Sequence, residues 1–224
     1  MDVKKKNELV LVFNEDLMYG FRGLLPKDYP ESLSIHGASM IEEDIRWLKE
    51  CSFRSFFMPR GLVENDSRYK QIIPYIVIVN ADQVFTYQRK GTESRLTDKI
   101  SIGIGGHVNV CDYCLGKTLF DTVNNAANRE FREEVYVKGV SDQSQFYLYN
   151  QLMNPVGVLY AGNVGDDVNS VHFGVIYIVR LHAIAAASLI LKEEGKQLDW
   201  MSLKDLKNME NLEEWSKLVV EKCL

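Results

Sequence analysis

The sequence predicts an α/β (α+β) fold in which a mixed sheet is flanked by helices. Two observations carry this prediction. Apolar runs rich in β-branched residues recur along the chain and are separated by turn residues, as in strands of a sheet. One long segment, 118–136, instead has an apolar stripe at helical spacing, so it is expected to pack on that sheet as an amphipathic helix.

Most strands of the predicted sheet lie in the second two thirds of the chain. The run at 72–79 is almost continuously apolar, which is typical of a strand buried on both faces. The segment 53–65 holds Pro59 and Gly61 and is predicted to be an irregular connector with a short strand around 56–57. The other predicted strands are 8–13, 84–89, 99–104, 145–149, 156–161, 171–181 and 198–201.

Helices are predicted at 40–51, 118–136, 203–209 and around 212–219. The helix at 118–136 has the clearest start, because Thr118 and Asp121 form a capping-box pattern. Its apolar stripe consists of Val123, Ala127, Phe131 and Val135. This stripe is expected to face the core.

Length, composition and charge bound the class of protein. With 224 residues, 46% of them hydrophobic, the chain is long enough to bury a sizeable core. We expect an N-terminal extension, 1–65, packed on a main domain, 66–224. The net charge of −5 argues against a general surface for nucleic acid or anionic membranes. Without an apolar run of membrane-spanning length or a signal-peptide pattern at the start, the cytoplasm is the expected compartment.

An acidic cluster marks the end of the predicted long helix. Glu130, Glu133 and Glu134 are spaced i, i+3, i+4, so a helix places them on one face, next to Arg129. Such crowded like charges repel each other unless cations hold them, and Mg²⁺ prefers a few carboxylates together with substrate phosphates. The alternative is a solvated helix face with i,i+4 pairs such as Arg129–Glu133.

The cluster resembles the signature of the Nudix hydrolases, G-x5-E-x7-R-E-U-x-E-E-x-G-U, where U is a bulky aliphatic residue. Residues 129–134 and Val137 match its second half, with Phe131 at an aliphatic position and Tyr136 at the last glycine. Asp121 stands eight residues before the arginine, at the place of the first glutamate, and Gly106 is assigned to the first glycine. Fourteen residues (107–120) separate these two positions, so the loop before the helix is expected to carry nine extra residues.

The resemblance implies an α/β/α sandwich and a metal-dependent hydrolase. Its expected reaction is cleavage of a diphosphate linkage in a nucleoside diphosphate joined to another group. The implied cofactor is Mg²⁺ or Mn²⁺, and its implied ligands are the carboxylates Glu130, Glu133 and Glu134 with the backbone carbonyl of Gly105. Arg129 would orient these carboxylates. A binding or regulatory module with the same fold, without hydrolysis, is the alternative.

Other site residues are less well defined by the sequence. The general base is either Glu130 or one of the adjacent Asp166 and Asp167, which also fit an ordinary turn.

Substrate-binding candidates are Arg60, Arg89 and His107, although the arginines also fit plain surface charges. His172 either points into the site or packs between its apolar neighbours. The expected partner is a small nucleotide-like diphosphate, without nucleic acid or membrane, and a homodimer stays open.

Cys111 and Cys114 form a C-x2-C motif inside the expanded loop. With His107 they offer three ligands at most, whereas a structural zinc site wants four. An ordinary reduced pair is therefore the main expectation, with metal and redox roles as alternatives. The loop is expected to overhang the metal site and to be dispensable for the chemistry.

Overall fold

A mixed sheet forms the centre of the protein. The computed structural model describes residues 3–16, 33–35, 54–89, 99–139, 155–159, 170–182, 186–192, 198–222 and 224. The predicted helix at 40–51, the predicted strand at 145–149 and the candidate bases Asp166 and Asp167 lie outside these described residues.

The described elements are five α-helices and twelve strands, numbered in chain order. The helices are α1 (Val3–Lys6), α2 (Arg60–Val63), α3 (Leu119–Glu134), α4 (Leu203–Lys207) and α5 (Glu214–Lys222). The strands of the main sheet are β1 (Leu9–Asn14), β2 (Leu33–Ile35), β3 (Ser55–Pro59), β4 (Tyr69–Asn80), β5 (Gln83–Gln88), β6 (Ile100–Ser101), β7 (Gly103–Ile104), β9 (Gly157–Leu159), β10 (His172–Arg180) and β12 (Leu198–Ser202). A second, two-stranded sheet joins β8 (Val135–Val137) to β11 (Leu189–Leu191).

The long central strand β4 organises the main sheet. It runs parallel to β10 and antiparallel to β5, within the order β12-β5-β4-β10-β9-β2. Strands β1 and β7 also pair with β4. The prediction of a strand at 72–79 buried on both faces is confirmed, because apolar clusters cover both sides of it.

Helices cover the two faces of this sheet, as predicted. One face packs against α3 through the predicted stripe of Val123, Ala127, Phe131 and Val135, all of them buried. The other face packs against α4 and α5, whose Leu206, Trp215, Val219 and Val220 join a separate cluster with Tyr75 and Ile102. The two sides of β4 therefore contribute alternate residues to different cores.

Helix α3 begins as predicted but ends earlier. The Thr118 side chain accepts a hydrogen bond from the Asp121 backbone amide (3.2 Å), and the Asp121 carboxylate accepts one from the Thr118 amide (2.9 Å). The predicted end at 136 is wrong, since Val135 has extended backbone (φ −121°, ψ 141°) and starts β8. The β-branched Val135 and Val137 are both buried, and strand pairing with β11 satisfies their backbone groups.

The N-terminal segment contributes strands to the main sheet. Strand β1 pairs with both β3 and β4, and its Leu11 and Phe13 join the core beneath α3. The short strand expected around 56–57 is present as the five-residue strand β3, whereas the rest of the connector at 53–65, predicted to be irregular, contains the short helix α2. The domain boundary after residue 65 stays a prediction.

A fully buried lysine fastens this N-terminal segment. The Lys70 ammonium group donates to the carbonyls of Ser67 (2.7 Å) and Ser170 (2.5 Å) and lies 3.3 Å from the Glu15 carboxylate. A buried charge is tolerated only when it is paired and hydrogen-bonded. Lys70 therefore connects β1, β4 and the start of β10 through one side chain.

None of the helices in the described part of the chain is long and apolar enough to cross a membrane.

We predict that Thr118→Ala lowers the free energy of unfolding by about 1 kcal/mol, because it removes the side-chain cap of α3. Thr118→Ser keeps the hydroxyl group and should retain most of that stability. Urea denaturation of the three proteins at neutral pH measures the difference. Equal stability of the alanine variant and the parent would contradict the role of the cap.

The same cap predicts a pH dependence. Hydrogen bonds from the Thr118 backbone and side chain lower the pKa of Asp121 below its ordinary value of 3.8. The stabilisation is therefore complete above that value and is lost as the pH falls through the lower pKa of the folded state. Asp121→Asn should be less stable than the parent at neutral pH, and the difference should shrink in urea titrations below pH 3.8.

Candidate functional site

The guanidinium group of Arg129 is the centre of the candidate site. Its Nε and Nη2 each donate to one carboxylate oxygen of Asp112, both at 2.9 Å. Its Nη1 donates to Glu130 (2.6 Å) and to Glu133 (3.0 Å), and Nη2 also donates to the His107 carbonyl (2.9 Å). The planar fork of arginine suits such a two-pronged carboxylate contact. One side chain thus joins the loop after the Gly-Gly turn to the acidic face of α3.

The pKa of Arg129 reflects these contacts. Burial alone would lower it, but the hydrogen bond to Asp112 and the charges of Glu130 and Asp112 raise it above its usual value. Arg129 therefore stays a cation under all ordinary conditions.

Asp112, and not Asp121, is the acidic partner of Arg129. Asp121 caps the first turn of α3 and makes its hydrogen bonds to Thr118. The interpretation of Asp121 as the first glutamate of the Nudix signature is therefore wrong. Asp112 is buried, and five residues (107–111) separate it from Gly106, which is the spacing of the signature.

This correction moves the insertion along the chain. Sixteen residues (113–128) separate Asp112 from Arg129, against seven in the signature, so the nine extra residues follow the acid. Counting backwards from the arginine led to Asp121, whereas counting forwards from Gly106 gives Asp112. The five-residue spacing after Gly106 was therefore the sequence signal that could have identified Asp112.

Glu130 is held against the Gly-Gly turn. A β-carbon at Gly106 would lie 2.6 Å from Glu130 Oε1, so only glycine leaves room for this carboxylate. Burial raises the pKa of Glu130, and the charges of Glu133 and Glu134 raise it further, while Arg129 lowers it. The net result is a carboxylate that holds its proton more strongly than an exposed glutamate does.

The three carboxylates differ in exposure. The Glu130 side chain is 11% exposed and that of Glu133 is 58% exposed. Glu134 is half-buried. The carboxylates are close enough for Glu133 and Glu134 to act on the pKa of Glu130. The predicted clustering of the three on one helix face is thus present in the structure.

These residues offer a donor set that suits a hard divalent cation, since all of it is oxygen. The absence of a side chain at Gly106 brings the Glu130 carboxylate up to the turn. Within the described residues, however, no three His, Cys, Asp or Glu side chains already converge as a metal-holding group. Glu130 and Glu133 both point at Arg129 instead. The donors fit the ion, and the ligand assignment stays a prediction.

Gly105 lies where two backbones meet. A β-carbon at this position would be 1.8 Å from the Pro74 carbonyl oxygen of β4. The turn can follow β7 so closely along β4 only because residue 105 has no side chain. The role of its carbonyl as a metal ligand stays a prediction.

His107 points its ring into the protein. Its Nε2 is buried without a hydrogen-bond partner, and its ring packs edge-on against His172, with centroids 5.5 Å apart. Burial first, and then the positive charges of Arg60, His172, Lys5 and Arg129, lower the pKa of His107 well below its usual value, so the ring is neutral. Its role in substrate binding stays a prediction, and the buried Nε2 gives that role no support.

His172 is buried and its ring also contacts Trp215 on α5, with centroids 6.5 Å apart. The packed interpretation of His172 fits these contacts.

Arg60 and Arg89 are each held in an ion pair. Arg60 bonds to Glu64 (2.8 Å) and lies 3.6 Å from Glu8. Arg89 donates to Glu213 (2.9 Å), a buried residue just before α5 on the opposite face of the sheet from α3. Their roles as phosphate-binding residues stay predictions.

The C-x2-C motif lies on the loop that carries Asp112. Cys111 and Cys114 are both free and exposed. Asp112 on this loop holds Arg129, so the loop contributes to the candidate site. The expectations that the loop overhangs the metal site and is dispensable for the chemistry stay predictions. The ring of Tyr113 also contacts that of Phe57 on β3, with centroids 6.4 Å apart.

We predict that alanine lowers the free energy of unfolding by different amounts at the two glycines of the turn. Gly105→Ala should lower the free energy of unfolding by about 1–3 kcal/mol or more, because its β-carbon meets backbone. Gly106→Ala meets only the flexible end of Glu130, so it should fold with a smaller loss and displace that carboxylate. Thermal melting of both variants tests the order, and a Gly106→Ala protein less stable than Gly105→Ala would contradict it.

Comparisons with known proteins cover nearly the whole chain. Protein YmaB of Bacillus subtilis (strain 168) is 32% identical over 233 residues, which span 97% of this chain and 98% of YmaB. No protein-family model matches the chain.

Solved structures show a related fold. Tm1382, a candidate Nudix hydrolase, has 23% sequence identity and a TM-score of 0.65, with 96% of this chain and 97% of Tm1382 covered. The MutT protein of Methanosarcina mazei Go1 has 18% identity and a TM-score of 0.44, with 68% of this chain and 91% of MutT covered. The chain therefore belongs to the family of YmaB and has the Nudix fold.

Proposed function

We propose that this protein is a metal-dependent pyrophosphohydrolase that cleaves a diphosphate linkage in a nucleoside diphosphate joined to another group. The observation that carries the proposal is the set of contacts that Arg129 makes with Asp112, Glu130 and Glu133. A buried Asp112 neutralises Arg129, which in turn holds Glu130 and Glu133 beside the Gly-Gly turn. A solvated helix face would need neither the buried Asp112 nor a glycine at position 106 that leaves room for a carboxylate.

The cofactor is Mg²⁺ or Mn²⁺, held by Glu130, Glu133 and Glu134 and by the Gly105 carbonyl. When bound, such an ion neutralises phosphate oxygens and lowers the pKa of a water molecule. Arg129 keeps two of these carboxylates in place, and the absence of a side chain at residue 106 lets Glu130 reach the turn.

Glu130 is the residue that takes the proton of the attacking water. Burial raises its pKa, which makes its carboxylate a stronger proton acceptor than it would be in water. The close approach of Gly106 fixes the position of this carboxylate beside the turn.

The substrate is a small nucleotide-like molecule, and the cytoplasm is the expected compartment. Arg60 and Arg89 would bind its phosphates only by exchanging their present carboxylate partners.

A binding module without hydrolysis is the second candidate. It is favoured by one observation: Arg129 occupies Glu130 and Glu133, and the three glutamates do not converge on one point. Such a module would bind a nucleoside diphosphate ligand and release it unchanged.

The decisive experiment is a substrate screen with Mg²⁺ or Mn²⁺. Nucleotide sugars, dinucleoside polyphosphates, ADP-ribose, NADH and nucleoside triphosphates are incubated with the protein, and the products are separated by chromatography. Metal-dependent cleavage between two phosphorus atoms supports the enzyme. Saturable binding of one of these compounds without any cleavage supports the module.

We predict that Glu133→Gln and Glu134→Gln each lower turnover at least about 100-fold, because a neutral amide is a poor ligand for a hard cation. Stability should not fall, since each change removes a like-charge repulsion. Glu221→Gln, an exposed glutamate on α5, is the matched control and should turn over normally. If both site variants keep their metal-dependent turnover, the metal centre lies elsewhere.

A second pair of variants compares the two aspartates that precede Arg129. We predict that Asp112→Asn lowers turnover about 10–100-fold, because Arg129 loses its neutralising partner and pulls Glu130 and Glu133 out of position. Asp121→Asn should affect only the stability of α3 and leave turnover unchanged at neutral pH. Steady-state kinetics of both proteins decide the matter, and a greater loss in Asp121→Asn would restore the assignment made from the sequence alone.

A further inference from the structure

Two exposed thiols flank the aspartate that holds Arg129. Cys111 and Cys114 are free, and the buried Asp112 lies between them in the chain. The side chain of Asp112 points inwards to Arg129, at 2.9 Å for each of two hydrogen bonds. A covalent change at Cys111 therefore occurs next to the residue that holds Arg129.

Asp112 keeps its position through a short hydrogen-bonded turn. Its backbone amide donates to the Asn109 carbonyl (2.9 Å), and the Asn109 amide donates back to the Asp112 carboxylate (2.8 Å). The Asn125 side chain of α3 donates to the Asp112 carbonyl (3.0 Å) and lies 3.7 Å from the Cys114 sulfur. A movement of Cys114 would therefore disturb the Asn125 side-chain amide, which also donates to the Asp112 carbonyl.

The two cysteines are not bridged in the present turn. Cys111 lies in the turn Val110–Asp112, and Tyr113 is already extended (φ −75°, ψ 131°), so the chain leaves the turn before it reaches Cys114. A disulfide needs β-carbons about 3.5–4.5 Å apart, and it would close a ring through Asp112 and Tyr113. We expect the closure to draw Cys114 away from Asn125 and to turn the Asp112 backbone.

We propose that Cys111 and Cys114 form a reversible disulfide that releases Asp112 from Arg129 and so weakens the carboxylate site. The oxidant is a small-molecule disulfide. One cysteine thiolate attacks it, forming a mixed disulfide and expelling one thiolate. The second cysteine thiolate then attacks the protein-bound sulfur, which closes the Cys111–Cys114 bond and expels the other thiolate. Two electrons pass from the cysteine pair to the oxidant, which leaves as two thiols.

The consequence follows from the charges around Arg129. Asp112 supplies the negative charge that neutralises the guanidinium group, so Glu130 and Glu133 keep negative charge to offer a cation. Once Asp112 is withdrawn, Arg129 takes these two carboxylates as its only acidic partners within the described residues. Divalent cations then compete with a fixed guanidinium group for the same oxygens. The oxidised protein should bind Mn²⁺ more weakly.

The test uses the full chain with Cys51→Ser and Cys223→Ser, so that Cys111 and Cys114 are the only thiols left. The protein is treated with oxidised glutathione or with dithiothreitol, and three quantities are compared. A thiol titration with mass spectrometry reports the disulfide, thermal melting reports the release of Asp112, and Mn²⁺ titration with turnover reports the site. We expect full oxidation, a lower Tm, and Mn²⁺ affinity and turnover reduced about 10-fold, all reversed by dithiothreitol.

Two variants provide the controls. Cys111→Ser in the same background should stay active and should not respond to oxidised glutathione. Asp112→Asn should still form the disulfide, but its Tm and Mn²⁺ affinity should no longer change, because the contact that oxidation breaks is already missing.

Several results would overturn the proposal. Two free thiols after oxidation would do so, as would a disulfide that leaves Tm and Mn²⁺ affinity unchanged, or an equal response in Asp112→Asn.

The proposal on the thiols rests on the proposed function for its effect on turnover, but the two can fail separately. A reduced protein that cleaves no diphosphate refutes the hydrolase. In that case the Tm comparison between the parent and Asp112→Asn still decides whether the disulfide releases Asp112.

Discussion

The ion pair between Arg129 and Asp112 is the interaction on which the candidate site depends. Arg129 belongs to a helix, and Asp112 belongs to a loop that follows the sheet, so their contact fixes one layer of the fold relative to the other. A single guanidinium group then distributes its remaining hydrogen bonds to Glu130, Glu133 and the His107 carbonyl. Because Asp112 is almost fully buried, losing Arg129 would leave its carboxylate as an uncompensated charge rather than a solvated one.

The close approach of turn and sheet is the second requirement. Gly105 touches the β4 backbone, and Gly106 touches the Glu130 carboxylate, so two adjacent residues without side chains serve two different contacts. The first contact is part of the architecture, and the second belongs to the site. The dipeptide Gly105-Gly106 therefore determines both how closely the turn packs on β4 and where the Glu130 carboxylate lies.

Much of the fold was predictable from the sequence because its signals are local. The apolar run of β4, the stripe of α3 and the cap at Thr118 each depend on residues a few positions apart. The acidic face of α3 was predictable for the same reason, since helical spacing alone brings Glu130, Glu133 and Glu134 together. The early end of α3 was missed because the pairing of β8 with β11 joins residues more than fifty positions apart.

The partner of Arg129 was missed for a different reason. Asp121 and Asp112 are both acids upstream of the arginine, and the choice between them depends on which loop residue turns inwards. The ion pair of Arg89 was equally hidden, because Glu213 lies far from it in the chain, whereas the pair of Arg60 with Glu64 is local. Such long-range contacts depend on tertiary structure, and no periodic pattern in the sequence predicts them.

Lys70 has a consequence for the order in which the protein can fold during synthesis. Its ammonium group needs the Ser170 carbonyl, which is made one hundred residues later. Until that part of the chain leaves the ribosome, Lys70 can contact Ser67 and Glu15 but lacks the third partner that completes its burial. The first strands can therefore collapse early, but they cannot reach their final packing before β10 is available to pair with β4. Folding of this sheet should be a late, concerted event rather than growth from the N-terminus.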